Sequence, residues 1–160
     1  MSARRRSRSG GQALVEFALV APIFFIMLFA LIDFGRYVYY VQILNNAARE
    51  GARYAIVHGS KGIPSSGPAE TGTVSSDPSG ANVKSTVRNY LVGVIGQTTG
   101  ALTVNVCWQP PNGIGGACSG DNRRGTPVDV TVDYQFRSVI PVVPIPPITV
   151  QGASTLVVNN

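Results

Sequence analysis

The fold is decided by residues 10–32, which read GGQALVEFALVAPIFFIMLFALI. The 21 residues from Gln12 to Ile32 carry a single charged side chain, that of Glu16. At about 1.5 Å per residue, a helix of this length crosses the roughly 30 Å of hydrocarbon in a bilayer. The stretch therefore predicts a membrane-spanning helix over residues 13–32, and its basic flank predicts a cytoplasmic N-terminus with the C-terminal part outside. The basic residues of that flank are Arg4, Arg5, Arg6 and Arg8.

Glu16 is the unusual residue of this helix, because an ionised carboxylate in hydrocarbon costs several kcal/mol and needs a partner. The nearest cations along the chain are Arg8 and Arg36. Arg8 precedes Gly10 and Gly11, which we expect to break the helix, and Arg36 lies beyond the far end of the span. The sequence therefore predicts that the partner of Glu16 comes from elsewhere.

The charge balance of the 160 residues limits the classes of partner. The net charge is +5, but residues 1–11 hold four of the thirteen basic side chains and no acidic one, so the remainder carries +1. We interpret the basic flank as a topology signal; a nucleic-acid arm or a lipid-binding patch is the alternative. A cleavable secretory signal is disfavoured, because the apolar run exceeds the usual length of about 7 to 15 residues and residues 33–40 contain no small-x-small cleavage site.

The N-terminal sequence resembles the class III signal of type IV pilins and pseudopilins. A basic leader ends in Gly11, and Glu16 and Phe17 then occupy the fifth and sixth positions of the following segment. Residues 45–55, NNAAREGARYA, are similar to the end of the first helix in TadE-like proteins. Those proteins are minor pilins or pseudopilins of the tight-adherence (Tad/Flp) pilus system.

This resemblance implies that residues 1–11 are a leader that prepilin peptidase removes by cutting between Gly11 and Gln12. It implies that Glu16, followed by Phe17, pairs with the terminal amine of a neighbouring subunit during assembly. The implied partners are this peptidase, other pilin or pseudopilin subunits, the Tad inner-membrane assembly platform and membrane lipid, with no nucleic acid and no cofactor. The alternative is an uncleaved single-pass anchor in the cytoplasmic membrane that displays a small binding domain in the envelope.

The helical pattern continues from Ala13 to about Val57, and Pro22 is predicted to kink it. Within the exposed part, residues 33–58, three tyrosines are expected to anchor the helix at the membrane surface, with a subunit contact as the alternative. Small side chains then make one side of the helix thin, so that either the protein's own sheet or a neighbouring helix can approach. The tyrosines are Tyr37, Tyr39 and Tyr40; the face at helical spacing comprises Phe34, Val38, Val41, Asn45, Ala48, Ala52 and Ala55, with Gly51 beside it.

The remaining sequence predicts a flexible loop, residues 59–81, and a small extracytoplasmic head, residues 82–160. In the head, apolar residues at helical spacing predict a helix that ends near Gly96, and alternating residues predict three strands. A Pro-rich crossing is expected on a membrane-facing or subunit-facing surface. The fold class is therefore α+β, with the distal half of the long helix packed on a small antiparallel sheet. The helix starts at Asn82 with Val83, Val87, Tyr90, Leu91, Val94 and Ile95 on its apolar face; the strands cover 101–108, 126–137 and 148–158, and the crossing covers 141–147.

Few residues in the chain suggest a reactive site. Cys107 and Cys118 both lie in the predicted outside head, where a disulfide is favoured over two free thiols. His58 is the only histidine, so no metal site and no catalytic site are predicted. Asp129 and Asp133 alternate onto the solvent side of a strand, where polar residues are ordinary. The sequence thus predicts a structural protein rather than an enzyme.

Overall fold

A computed structural model of the protein describes residues 9–95, 101–110, 118–139 and 146–159. A long apolar helix leads into a small head with a short second helix and a three-stranded antiparallel sheet, which confirms the predicted fold class. The basic flank, Gly96 and residues 141–145 of the Pro-rich crossing lie outside the described residues. The elements in chain order are α1 (Ser9–Val57), α2 (Ala81–Ile95), β1 (Leu102–Trp108), β2 (Pro127–Phe136) and β3 (Ile148–Val157).

Helix α1 has 49 residues and is about 73 Å long at 1.5 Å per residue. It runs through Pro22 and begins before Gly10 and Gly11, so the expectation that these glycines break the helix is wrong. A glycine costs a helix only about 1 kcal/mol relative to alanine. That cost is small beside the long run of apolar helix-forming residues that follows.

Strand β2 is the centre of the sheet and pairs antiparallel with both β1 and β3. Its side chains alternate between the helices on one face and solvent on the other, as the sequence predicts. Asp129 and Asp133 are only partly buried, on the face away from the helices, and Tyr134 is half-buried on the helix side. The fully covered residues of β2 are Val128, Val130, Val132 and Phe136.

The distal half of α1 lies across β2 and β3, and α2 packs beside it. A Cβ atom on Gly51 would collide with Val87 of α2, and one on Gly152 of β3 would collide with the backbone of Leu44. In the structure, the thin side of α1 is therefore occupied by the protein's own head. The buried side chains on this side are Ile43, Leu44, Ala47, Ala48, Ala52 and Ala55.

Two predicted apolar faces are buried over only part of their length. Phe34 and Val38 are exposed rather than buried, because the core of the head covers α1 only from about Tyr40 onward. On α2, Tyr90 and Val94 are also exposed, because a narrow stripe of that helix contacts α1. The buried residues of α2 are Val83, Val87 and Leu91.

The loop of residues 59–80 is attached to the head through Asp77, whose side chain is buried. The Ser66 hydroxyl donates to Asp77 at 2.7 Å, and the backbone N–H groups of Ala81 and Asn82 donate to it at 2.8 Å each. Burial by itself would raise the pKa of Asp77, but these hydrogen bonds and a further one from Ser79 outweigh it and hold the pKa below its ordinary value. Asp77 therefore satisfies two otherwise unpaired N–H groups at the start of α2.

A disulfide joins Cys107 at the end of β1 to Cys118, with the two Cα atoms 5.0 Å apart. It closes the connection between β1 and β2. At the same end of the head, the ring of Trp108 is buried against Gly67 and Gly80, so that the loop of residues 59–80 covers the end of β1.

Candidate functional site

The first half of α1 exposes apolar side chains all around the helix. Every large hydrophobic residue from Leu14 to Ile32 is at least 36 % exposed, and the most apolar 18-residue window has a mean hydropathy of 2.6. By length and composition, α1 is the one helix in the described part of the chain that could cross a membrane. A helix that is apolar on all sides and uncovered by its own chain requires lipid or other helices around it.

Glu16 lies on this exposed apolar surface. Its carboxylate has no hydrogen bond and no ion pair with any other described residue. Arg36 is 20 residues further along α1, about 30 Å away along the helix axis, and it pairs instead with Asp33. Phe17, the next residue after Glu16, is also exposed. The described part of the chain therefore leaves the carboxylate of Glu16 available to a partner from outside.

Gly11 and Gln12 lie near the start of α1, and both are exposed. A Cβ atom added to Gly11 would meet no other atom within 4 Å. No other described part of the chain therefore shields the peptide bond between these two residues.

Asp33 is the first charged residue after the span, and it is only 8 % exposed. The end of β2 descends beside α1 and supplies donors to it: the Ser138 hydroxyl and the Val139 N–H, the latter 3.0 Å from Oδ2. The Arg36 guanidinium adds a third donor 2.9 Å from Oδ1. Together these hydrogen bonds offset the free-energy cost of burying the Asp33 carboxylate.

Sequence reasoning missed this cluster. On the sequence, Asp33 and Arg36 are an ordinary pair three residues apart on a helix surface. The two other donors lie more than a hundred residues away, and only the path of the chain after β2 brings them to Asp33.

Aromatic rings join α1 to β2 just above Asp33. The rings of Tyr37 and Tyr40 meet Phe136 edge-on, with centroids 6.0 and 5.7 Å apart, and Tyr40 stacks on Tyr134 at 4.9 Å. Tyr37 and Tyr40 thus pack on the protein's own head, and their role as membrane-surface anchors stays a prediction. Tyr39 remains 52 % exposed.

A cavity of about 210 Å³ lies on the membrane side of these rings, between α1 and the facing ends of β2 and β3. Its wall is mostly apolar, and it includes Ala30, which belongs to the predicted span. The head therefore reaches down to the predicted membrane-spanning part of α1. The lining residues are Ala30, Asp33, Phe34, Tyr37, Phe136, Ser138, Pro146 and Ile148.

His58 follows the last residue of α1, where its Nδ1 lies 2.9 Å from the Tyr54 carbonyl oxygen and its ring stacks on that of Tyr54 at 3.9 Å. Among the described residues, no group of three or more His, Cys, Asp or Glu side chains is placed to hold a metal ion. The candidate site therefore offers an apolar surface along α1 for packing, and the carboxylates of Glu16 and Asp33 as hydrogen-bond acceptors.

Comparison with known proteins bears on the same helix. No curated protein and no solved structure matches the chain. Residues 11–53 match the family model described as TadE-like protein. The match begins at Gly11, includes the whole predicted span and ends at Arg53, within the part of α1 that packs on the head. Over this segment the chain is similar to TadE-like proteins, which confirms the resemblance predicted from its sequence.

Proposed function

We propose that this protein is a TadE-like minor pilin or pseudopilin. It is stored in the cytoplasmic membrane with its head outside, is cut by prepilin peptidase after Gly11, and then acts in assembly of a Tad/Flp-type pilus or a related secretion system. The similarity to TadE-like proteins associates the chain with Tad pili as a structural component anchored by a single apolar helix.

The observation that carries this proposal is the state of Glu16. It is an exposed carboxylate on an otherwise apolar helix surface, and the described part of the chain gives it no partner. A buried charge is tolerated when an opposite charge pairs with it. In an assembly of such helices, the new terminal amine at Gln12 of a neighbouring subunit supplies that opposite charge.

The apolar surface from Leu14 to Ile32 supports the same mechanism. In lipid it contacts acyl chains, and in a filament it packs against the equivalent helices of other subunits. The free energy of these apolar contacts is similar in lipid and in a filament. Pairing of Glu16, by contrast, favours one register between neighbouring helices over all others. The carboxylate would therefore set register, while the apolar residues hold the helices together.

The first experiment is to determine the N-terminal residue of the protein purified from its native membrane, by intact mass and N-terminal peptide sequencing. A chain that starts at Gln12 supports the proposal. A chain that retains Arg4 to Arg8 contradicts it and favours the uncleaved anchor with a binding domain. Cleavage beyond Ile32 would instead make the protein a secreted one.

Replacing Gly11 with Leu tests the peptidase directly. The Cβ atom of the new side chain meets no other atom within 4 Å, so a clash at Cβ would not explain loss of cleavage in Gly11→Leu. Gly35→Leu, where a Cβ atom also meets nothing within 4 Å, is the matched control and should be cut normally.

Replacing Glu16 with Gln tests assembly. Glu16→Gln keeps the size of the side chain and removes its charge, so membrane insertion persists while crosslinking to other pilus subunits decreases. Glu50 is an exposed acidic residue on the same helix but within the head, and Glu50→Gln is the control that should leave crosslinking unchanged. Unchanged incorporation of Glu16→Gln would exclude the charge-pairing role.

A further inference from the structure

We infer that the head has its own lipid-contact surface, at the corner where β2 ends and β3 begins, and that this surface rests in the membrane interface beside α1. We call it the juxtamembrane corner and define it by Val139, Pro146 and Ile148 of the head together with Phe34 of α1. The inference rests on the proposed membrane-stored state and adds a second contact with lipid to it.

The position of the corner is fixed by its contacts with α1. The Val139 N–H donates to Asp33, which follows directly after Ile32, the last residue of the apolar run. Pro146 and Ile148 share the wall of one cavity with Ala30, which lies inside that run. The corner therefore lies at the level where α1 leaves the hydrocarbon, not above the headgroups.

The chemistry of the corner suits lipid. Three of its side chains are large, apolar and exposed: Phe34 at 65 %, Val139 at 56 % and Ile148 at 48 %. The connection between Val139 and Pro146 consists only of isoleucine, valine and proline in the sequence. Apolar surface of this kind at a membrane boundary is stabilised by partial burial in the interface.

Charged and polar side chains border the corner. Arg137, between Phe136 and Val139, is exposed, and Arg36 lies over the Phe136 ring at 5.3 Å. Gln135 and Thr149, the next pair along β2 and β3, are exposed and hydrogen-bonded to each other. An arginine can lay its aliphatic stem along apolar surface while its charged group stays in water, so Arg137 is compatible with a corner that rests in the membrane interface.

A second copy of the chain is the competing occupant. Lipid is favoured because the corner continues a surface that requires lipid in the same molecule, and because its exposed residues begin at the depth of Ala30. The experiment below distinguishes the two occupants.

The test uses tryptophan as a depth probe in the full chain, reconstituted in phosphatidylcholine vesicles whose acyl chains carry bromine near the carbonyl end. The two ends of β3 provide a matched pair: Ile148 and Val157 are 48 % and 46 % exposed and lie about 30 Å apart along the strand. Ile148→Trp is the probe, Val157→Trp the control for the distant end, and Phe24→Trp the control for the span. The native Trp108 is buried in the head, and its emission is subtracted with the unsubstituted protein.

The lipid-contact surface predicts that Ile148→Trp emits at shorter wavelength than Val157→Trp. It also predicts that the Ile148→Trp protein loses at least half as much emission to brominated lipid as Phe24→Trp does, while Val157→Trp loses none. The inference is overturned if aqueous acrylamide quenches the two β3 variants equally and brominated lipid quenches neither of them. In that case quenching of Phe24→Trp by brominated lipid still shows that the protein is inserted.

Two other outcomes also overturn it. If Ile148→Trp is shielded from both quenchers and the shielding weakens as protein is diluted in lipid, a second copy covers the corner. If Phe24→Trp is itself insensitive to brominated lipid, the membrane anchoring in the proposed function fails, and the corner proposal fails with it.

Discussion

The carboxylate of Asp33 and the hydroxyl of Ser138 are hydrogen-bonded although 105 positions separate them in the chain. Asp33 belongs to the turn of α1 that follows the membrane span, and Ser138 lies just after β2. The contact therefore attaches the chain just after β2 to the point where the helix enters the head. With Tyr40 and Phe136 packed above it, the junction is held by both polar and aromatic contacts.

Replacing Asp33 with Ala should loosen this junction. The Ser138 hydroxyl and the Val139 N–H would lose the Asp33 carboxylate as acceptor, and a hydrogen bond to a charged group contributes about 1.5 to 3 kcal/mol. We expect a lower free energy of unfolding for the full chain in detergent and faster hydrogen exchange at Val139. Asp133→Asn is the control, because the Asp133 carboxylate accepts an exposed hydrogen bond from the side chain of Gln151, and a change there should stay within about 0.5 kcal/mol. Equal effects of the two substitutions would contradict the role of Asp33.

The stability of the head should fall at acidic pH through Asp77. Its pKa in the folded protein is lowered, whereas an unfolded chain has an Asp pKa of about 3.9. The stabilisation is therefore complete above that unfolded value and is lost as the pH falls through the lower folded pKa. Denaturant unfolding in detergent between neutral pH and pH about 2 should show this loss, and Asp77→Asn, which cannot titrate, should show less of it.

Ser66→Ala provides a graded version of the same test. It removes one of the hydrogen bonds that lower the pKa of Asp77, so the folded pKa moves closer to the unfolded one. The loss of stability on acidification should then be smaller and complete at a higher pH than in the unsubstituted protein. A larger loss than in the unsubstituted protein would show that Asp77 is not the group responsible.

Gly51→Ala should destabilise the head even though alanine is the better helix former. The new methyl group would collide with Val87 and lie 3.2 Å from a methyl of Val130, and β-branched side chains have little freedom to move aside. Overpacking costs about 1 to 3 kcal/mol, which exceeds or cancels the roughly 1 kcal/mol gained in helix propensity. Thermal unfolding should show a lower midpoint, and adding Val87→Ala should restore part of it. Gly35→Ala, in open space on the same helix, should be neutral or slightly stabilising.

Reduction of the disulfide should lower the stability of the head by about 2 to 3 kcal/mol, because the Cys107–Cys118 bond restricts a short loop in the unfolded chain. The double variant Cys107→Ser and Cys118→Ser should match the reduced protein. Adding a reductant should shift the unfolding midpoint of the unsubstituted protein and leave that of the double variant unchanged. A reductant effect on the double variant would place the sensitivity elsewhere.

The sequence was sufficient to predict the elements because their patterns are local. The apolar run after Gln12 can only be a long helix in lipid or among helices, and the alternation from Val128 to Phe136 fits only a strand with one covered face. The small residues around Gly51 also predicted a close approach. They could not specify the neighbour, which the structure gives as α2 and the sheet.

What the sequence could not predict depends on where the chain goes between elements. Asp33 has the same local pattern as any surface acid beside an arginine, and its burial results from residues after β2 that return to α1. Phe34 and Val38 satisfy the helical spacing of a buried face, yet the core of the head begins above them. Similarly, the composition of the loop before α2 predicted flexibility but not the hydrogen bonds that converge on Asp77.

Helix α1 has no break between the span and the head, and this continuity has a mechanical consequence. A rod without a hinge transmits an axial pull from one end to the other undiminished, and a twist of the membrane segment becomes an equal rotation of the sheet. If the juxtamembrane corner lies in lipid, any force that draws the subunit outward must lift the helix and release the corner together. The force threshold for leaving the membrane would then be set jointly by the helix and by its own head.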